Sequence, residues 1–211
     1  MMLISSSQTP SRLPPEYQEV QWLRGSGTQY CQTSYTPVFN SNHFTSIKGD
    51  LTVLDSATLL LCANKTSYPS ERYGVYIHNR YFEIGVQPNY AQAILMSTLG
   101  NTPLNIHYEL TRNAVSINGT DYPKSGMEHS ITSYILIGAE YAQNGVSIKN
   151  ENVNIKAFSL YDNDTLICDI IPCYRKSDIK AGFYQTIVPS GFDNFIYNLG
   201  SGSDWLTGPN I

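Results

Sequence analysis

The amino-acid sequence predicts an all-β fold, one antiparallel β-sandwich preceded by a short extended arm. Two observations carry that expectation. Apolar residues recur at period two in short runs, at the spacing of a sandwich, with Gly, Asn and Asp clusters between them. No stretch of helical length holds apolar positions at a 3.6-residue period without a Gly, a Pro or a β-branched run interrupting it. At 211 residues the chain suits a single domain of this kind. It divides into an arm over residues 1–15 and a sandwich over residues 16–211.

The elements follow in order. Met1 to Pro15 carries Ser5-Ser6-Ser7, Pro10 and Pro14-Pro15 and has no periodic apolar face, so it reads as an extended arm. Its tip, Met1, Met2, Leu3 and Ile4, is apolar and is expected to dock on a partner. Fifteen extended residues reach at most ~50 Å, enough to cross onto a neighbouring subunit. After the prolines, Val20 and Trp22 alternate with Glu19 and Gln21. Gly25-Ser26-Gly27 turns the chain, and Thr28-Gln29-Tyr30 restarts an extended run.

Phe44 to Leu54 alternates weakly, and Ala57 to Asn64 is a continuous apolar run of the kind that a doubly covered central strand shows. Arg72 to Asn79 and Arg80 to Val86 form a hairpin around His78-Asn79-Arg80, and Ala91 to Ser97 is a short apolar strand. Leu104 to Leu110 is the clearest strand of all. Leu104, Ile106, Tyr108 and Leu110 face the core, and Asn105, His107 and Glu109 face away. Asn118-Gly119 favours a type I′ hairpin turn. Ile131 to Ala139 is apolar on both faces. From Ile155 a hairpin turns at Asp162-Asn163-Asp164 and ends at Pro172, and Ala181 to Tyr184 supplies the last strand.

Composition narrows the function. Hydrophobic content of 41% supports a core. Charged residues make up only 14%, so the surface is polar but largely uncharged. A net charge of −4 with scattered Lys and Arg argues against a nucleic-acid partner. No apolar run reaches the length of a membrane span or of a signal-peptide core, so no membrane association is expected. Cys31, Cys62, Cys168 and Cys173 show no zinc-ligand spacing and are expected as free buried thiols, in keeping with assembly in a reducing cytoplasm. The N-x-S/T matches at Asn64, Asn118 and Asn163 are what chance gives in so Asn- and Thr-rich a chain.

Two stretches carry a resemblance. Leu13 to Tyr30 reads LPPEYQEVQWLRGSGTQY, and Ile155 to Asp178 reads IKAFSLYDNDTLICDIIPCYRKSD, followed by Ala181-Gly182-Phe183-Tyr184. Together they resemble the concanavalin-A-like, laminin-G-type jelly-roll module of structural proteins in phages and prophages of gut bacteria, over roughly Leu13 to Pro209. The middle third matches only in pattern, and the tail after Tyr184 is longer and more aromatic than in that group. The resemblance implies a jelly-roll sandwich and a virion component assembled in the bacterial host cytoplasm. Its partners would then be other virion proteins and further copies of itself, as a trimer, to which the apolar character of Ile131 to Ala139 on both faces also points.

Catalytic patterns are sparse. Jelly-roll glucanases place carboxylates in an ExDxxE pattern that does not occur here, and retaining chemistry needs two carboxyls about 5 Å apart. Glu16 and Glu19 point to opposite faces of a strand, and Asp162 and Asp164 sit in a turn that favours Asp on local grounds. Asp121, Asp162, Asp164, Asp193 and Asp204 leave a loop-built calcium site open, but no cofactor is expected. No nucleophile elbow or phosphate-cradling loop is present, and His43, His78, His107 and His129 are dispersed. The enriched class is aromatic. Tyr73 and Tyr76 with His78 on one hairpin, and Trp205 in a Gly/Ser-rich tail, are candidate contacts for a glycan or a protein partner.

Three functions therefore compete. The first is a non-enzymatic virion structural protein, a head-decoration, head-fibre or tail component. The second is a lectin-like module adhering to a surface glycan, and the third, on the weakest grounds, is a glycoside hydrolase.

Overall fold

The structure, a computed structural model, describes residues 12–65, 68–78, 80–87, 92–123, 131–142 and 145–211. Strands dominate it. The first part of the chain forms β1 (Tyr17–Glu19), β2 (Leu23–Arg24), β3 (Cys31–Gln32), β4 (Thr45–Lys65), β5 (Tyr68–His78), β6 (Tyr81–Gln87) and β7 (Gln92–Leu95). A single helical turn, α1 (Met96–Leu99), precedes β8 (Leu104–Leu110), β9 (Ala114–Ile117), β10 (Thr120–Pro123), β11 (Leu136–Ile137), β12 (Ala139–Ala142) and β13 (Gly145–Ile148). The chain closes with β14 (Asn150–Asp162), β15 (Thr165–Arg175), β16 (Lys180–Gln185), β17 (Phe195–Tyr197) and β18 (Leu206–Thr207).

Two layers result. In one, hydrogen bonds link β17, β16, β15, β14, the first half of β4, β8, β9 and β10 in that spatial order. In the other they link β7, β6, β5, the second half of β4, β11 and β3. The long strand β4 belongs to both layers. Phe44 to Leu54 and Ala57 to Asn64, expected as two strands, are thus one. No turn separates them, only a bulge at Ser56, which takes a left-handed φ of 52°. Its neighbour β14 bulges beside it at Asn152, φ 56°, where the pairing register shifts. Paired bulges let two adjacent strands bend together out of one layer and into the next.

The core lies between the layers and follows the alternation in the sequence. Leu104, Ile106, Tyr108 and Leu110 are buried and Asn105 and His107 are exposed. Burying each such apolar side chain contributes roughly 1.5–3 kcal/mol. On the outer side Lys48 pairs with Glu109 at 2.7 Å and His107 with Asp50 at 3.1 Å. Asn118 and Gly119 have φ of 49° and 79°, the type I′ signature, and join Ile117 to Thr120. Of the expected turn at His78-Asn79-Arg80, Asn79 lies outside the described residues, while His78 pairs with Tyr81 across it.

Three further expectations are revised. The strand expected to end at Pro172 runs through it to Arg175. Of Ala91 to Ser97, expected as strand alone, Ala91 lies outside the described residues, Gln92–Leu95 is strand, and the end is instead the helical turn α1. Of Ile131 to Ala139 only Leu136, Ile137 and Ala139 are strand, in two pieces, because Gly138 turns the chain at φ 88° between β11 and β12. Ile131, Ile135, Leu136, Ile137 and Ala139 are all buried within one chain, so their apolar character gives no ground for a trimer.

The two ends of the described chain are woven together. The tail runs beside the opening segment, with β18 on β2, Val20 bridged to Asn210, and Gln21 N donating to Pro209 O at 2.9 Å. The arm tip Met1, Met2, Leu3 and Ile4 lies outside the described residues. Arg12 to Pro15, at the end of the stretch read as an arm, rest on the sandwich. Leu13 is buried against Ile171, Cys173 and Phe195, and the Arg12 guanidinium pairs with the buried carboxylate of Glu19.

Candidate functional site

The outer face of a sandwich sheet is ordinarily polar, because it meets water. Around β1, β15, β16 and β17 it is not. β15 alternates with Ile170 inward and Ile171 and Cys173 outward, and β16 puts Phe183 in the core and Tyr184 outside. In β17, Phe195 joins the outward cluster and Ile196 packs on the core, so Tyr197 shares the outward side with Phe195. Register brings these together: Tyr17 lies opposite Arg175, Tyr184 opposite Phe195, and Gly182 opposite Tyr197.

Gly182 makes the packing feasible. A Cβ there would stand 3.1 Å from the Phe195 ring and 2.2 Å from Ile196 O, so only glycine lets β17 and its ring lie this close.

The rings form a connected set. Tyr17 stands 5.0 Å from Tyr184 and 5.2 Å from Phe195 between centroids, and Phe195 stands 6.3 Å from Tyr197. Arg175 lies 5.4 Å over Phe195 and Lys180 3.7 Å over Tyr197. With Glu16, Asp193 and Asn194 the rings line an open cleft of about 340 Å³, and a smaller one of about 200 Å³ shares Asp193, Phe195 and Tyr197.

Electrostatics keep this face protonated where it has hydroxyls and charged at its rim. Partial burial, with the Glu16 charge adding to it, pushes the phenols of Tyr17 and Tyr184 up. Both therefore stay neutral donors at pH 7. The Arg175 guanidinium grips Asp178 with two bonds, Nε to Oδ1 at 3.0 Å and Nη2 to Oδ2 at 2.6 Å. That grip holds the Asp178 carboxyl down at about 2.

The aromatic candidates named from the sequence are elsewhere and mostly inside. Tyr73 is fully buried and its hydroxyl donates to Thr45 O at 2.7 Å. Tyr76 is fully buried beneath Arg72, whose guanidinium also pairs with Glu140 at 2.6 Å. Trp205 is buried edge-on against Phe183, with centroids 5.7 Å apart. These rings present no face to a ligand. A tail that runs back along β2 supplies the burial that composition alone did not suggest. His78 is half-buried and bonded to Glu83 at 3.0 Å, on the other layer from the cleft.

Sequence reasoning missed Tyr17, Tyr184, Phe195 and Tyr197. A usable signal was present in Phe195-Ile196-Tyr197, three apolar residues in a row, which fill both faces of a strand that has only one core to meet.

The acidic residues weighed for calcium do not converge. Asp162 pairs with His43 at 2.6 Å, Asp204 accepts from Ala181 N at 2.9 Å, and Asp193 lines the cleft. Among the described residues no three His, Cys, Asp or Glu come together as a metal site, and no helix is long and apolar enough to cross a membrane.

All four cysteines are free and buried. Burial pushes every one of the thiols up, Cys173 to about 12. The native protein is therefore expected to leave a thiol-disulfide reagent unconsumed at pH 8, and to react at all four positions once denatured. Rapid reaction of any one in the native state would place that thiol at the surface.

Comparison with protein-family models, with curated proteins and with solved structures finds no match.

Proposed function

We propose that the chain is a non-enzymatic structural protein of a phage virion, a concanavalin-A-like jelly-roll block that serves as a head-decoration, head-fibre or tail component. One observation carries this reading. The two stretches that resemble the virion module, distant in sequence, are built against each other. Tyr17 to Glu19 pairs with Arg175 to Cys173, and Leu13 packs on Ile171 and Cys173. A shared opening and a shared closing that form one structural unit are what a common fold requires of a common motif.

The virion reading includes a homo-oligomer, with a trimer as the form to test, and an N-terminal docking arm now confined to residues 1–11. Light scattering on the full chain should give three times its 23.6 kDa mass. Antibody raised to the chain should label particles released from the source bacterium in electron micrographs. Labelling confined to cell debris or free protein, with bare particles, would overturn the virion reading. Deleting residues 1–11 should leave the melting temperature unchanged and remove the protein from particles, since Arg12 keeps Glu19 paired and Leu13 keeps its place on the sheet.

A further inference from the structure

We propose that the groove between residues 32–34 and β17 receives the apolar run Met1-Met2-Leu3-Ile4 from the arm of a second copy of the chain. The inference rests on the homo-oligomer put forward above and supplies the contact that would hold it.

The groove is apolar where it is open. Phe192, Tyr197 and Leu199 are 40%, 40% and 51% exposed, and all three line it. Apolar side chains scattered singly over a surface are ordinary, whereas three that meet around one concavity mark a contact. The polar groups at its base are engaged. Gln185, fully buried, accepts from Ser34 N at 2.8 Å and donates to Asp193 O at 3.2 Å. Thr33 Oγ1 accepts from Tyr35 N at 3.2 Å, and Gln32 Oε1 accepts from the Tyr141 hydroxyl at 2.7 Å. Little is left there to orient a polar ligand, and an aliphatic side chain asks for nothing of the kind. At about 200 Å³ the groove is also smaller than the ~300–1,000 Å³ of small-molecule sites. Asp193 is exposed and keeps its water, and residues 1–11 carry no charge to meet it.

Position selects the occupant. Leu13 is buried against Phe195, and Phe195 lines the groove, so residues 1–11 leave the sandwich one aromatic ring away from it. The root of the arm is fixed, because Arg12 pairs with Glu19 and Lys176 Nζ donates to Pro15 O at 2.7 Å. From Arg12, eight residues carry the chain to Ile4, at most ~29 Å when extended. The arm's own groove lies much closer than that, and Pro10 resists the reversal needed to return to it. The groove of a copy packed against the same edge lies within reach. Because root and groove share that edge, each copy gives an arm and receives one, and the exchange closes into a ring. Met1 to Ile4 is the only apolar run in residues 1–11, where the remainder is Ser, Gln, Thr and Pro.

The test mixes two forms of the full chain, one carrying Ser5→Cys and the other Asp193→Cys with a mass tag, and adds a short bis-maleimide. The parent's own thiols are buried, so the introduced pair is the accessible one. A hybrid of one tagged and one untagged chain is expected on a denaturing gel. Adding Leu3→Ser and Ile4→Ser to the Ser5→Cys chain should lower its yield tenfold or more at an unchanged melting temperature, as should Leu199→Ser in the acceptor. No hybrid, or a hybrid whose yield survives those serines, overturns the proposal. So does a chain carrying both cysteines that links only to itself, because the arm would then return to its own groove. Light scattering separates this failure from that of the oligomer. A multi-chain mass without a hybrid removes the arm contact alone, and a mass of 23.6 kDa removes both.

Discussion

Gly74→Ala is expected to destabilise the protein by about 3 kcal/mol and to lower its melting temperature by roughly 6–12 °C. Gly74 sits mid-strand in β5, between Cys62 of β4 and Gly85 of β6, at φ 139°. A side chain adopts that backbone only with strain, and this one would also have nowhere to go. Its Cβ would stand 2.0 Å from Leu61 O and 2.9 Å from Cys62 Cα. Neither atom belongs to a flexible side chain that can swing away, so the β4–β5 ladder itself must shift, in a region where Leu61, Cys62 and Tyr73 are fully buried. Gly119→Ala separates strain from collision. Gly119 also has positive φ, 79°, but nothing lies within 4 Å of the added carbon, so its cost should stay near 1 kcal/mol. Thermal melts followed by circular dichroism measure both. Equal shifts for the two variants would mean that the ladder yields freely and that the close approach of β4 to β5 is not a fixed feature.

That pair of glycines also marks where the sequence was legible and where it was not. Gly119 follows Asn118, and a two-residue turn between alternating strands depends only on local backbone geometry, so the hairpin could be read directly. The alternation from Leu104 to Leu110 was legible for the same reason, since one face of that strand meets the core and the other meets water. Gly74 is different, because its requirement comes from Leu61 across the sheet, a neighbour that no local pattern announces. The continuity of β4 was hidden likewise: Asp55-Ser56 resembles a turn, and only pairing with the bulge at Asn152 keeps the strand running.

The site followed the same division. Trp205 looked exposed because Gly and Ser surround it, yet long-range pairing of the tail with β2 buries it. The outward rings of the cleft were passed over because each, taken singly, resembles a core residue. They are recognisable as a surface only once β17 is known to pair along the edge of β16, which sets Phe195 and Tyr197 beside Tyr184 on the outward face.

The opening motif holds the second large effect, and it turns on a residue far from it. Asn150 is almost fully buried, and its Oδ1 accepts from Gly27 N at 2.8 Å while its Nδ2 donates to Gln29 O. Gln29, equally buried, accepts from Ser26 N at 2.8 Å and donates to Ser203 O at 2.9 Å. A chain of amides thus ties the Gly25-to-Gln29 turn, the start of β14 and the tail beside Trp205. Gly25 and Gly138 enclose it, since a Cβ at Gly25 would fall 2.4 Å from Asn150 Cγ and one at Gly138 would fall 2.8 Å from its Nδ2. Asn150→Ala leaves the half-buried N–H of Gly27 and the buried carbonyl of Gln29 without this partner, at about 1–3 kcal/mol for the buried group and less for the other. A loss of about 3 kcal/mol is expected, and a Gln29→Ala, Asn150→Ala double variant should lose less than the sum because the two share one network. Asn150→Asp sharpens the test. At neutral pH its carboxylate cannot donate to Gln29 O and is stranded in a dry site, so burial must raise its folded pKa above the unfolded value of about 3.9. A raised folded pKa contributes stability below the unfolded pKa and loses it as pH rises through the folded one. The protonated carboxyl, like the amide, donates once and accepts once. The Asp variant should therefore approach the parent in melting temperature near pH 4, after allowance for the parent's own pH dependence, and fall behind it steadily toward pH 7. A deficit that does not change between those limits would mean that water reaches Asn150, and that the motif's turn is held by its glycines alone.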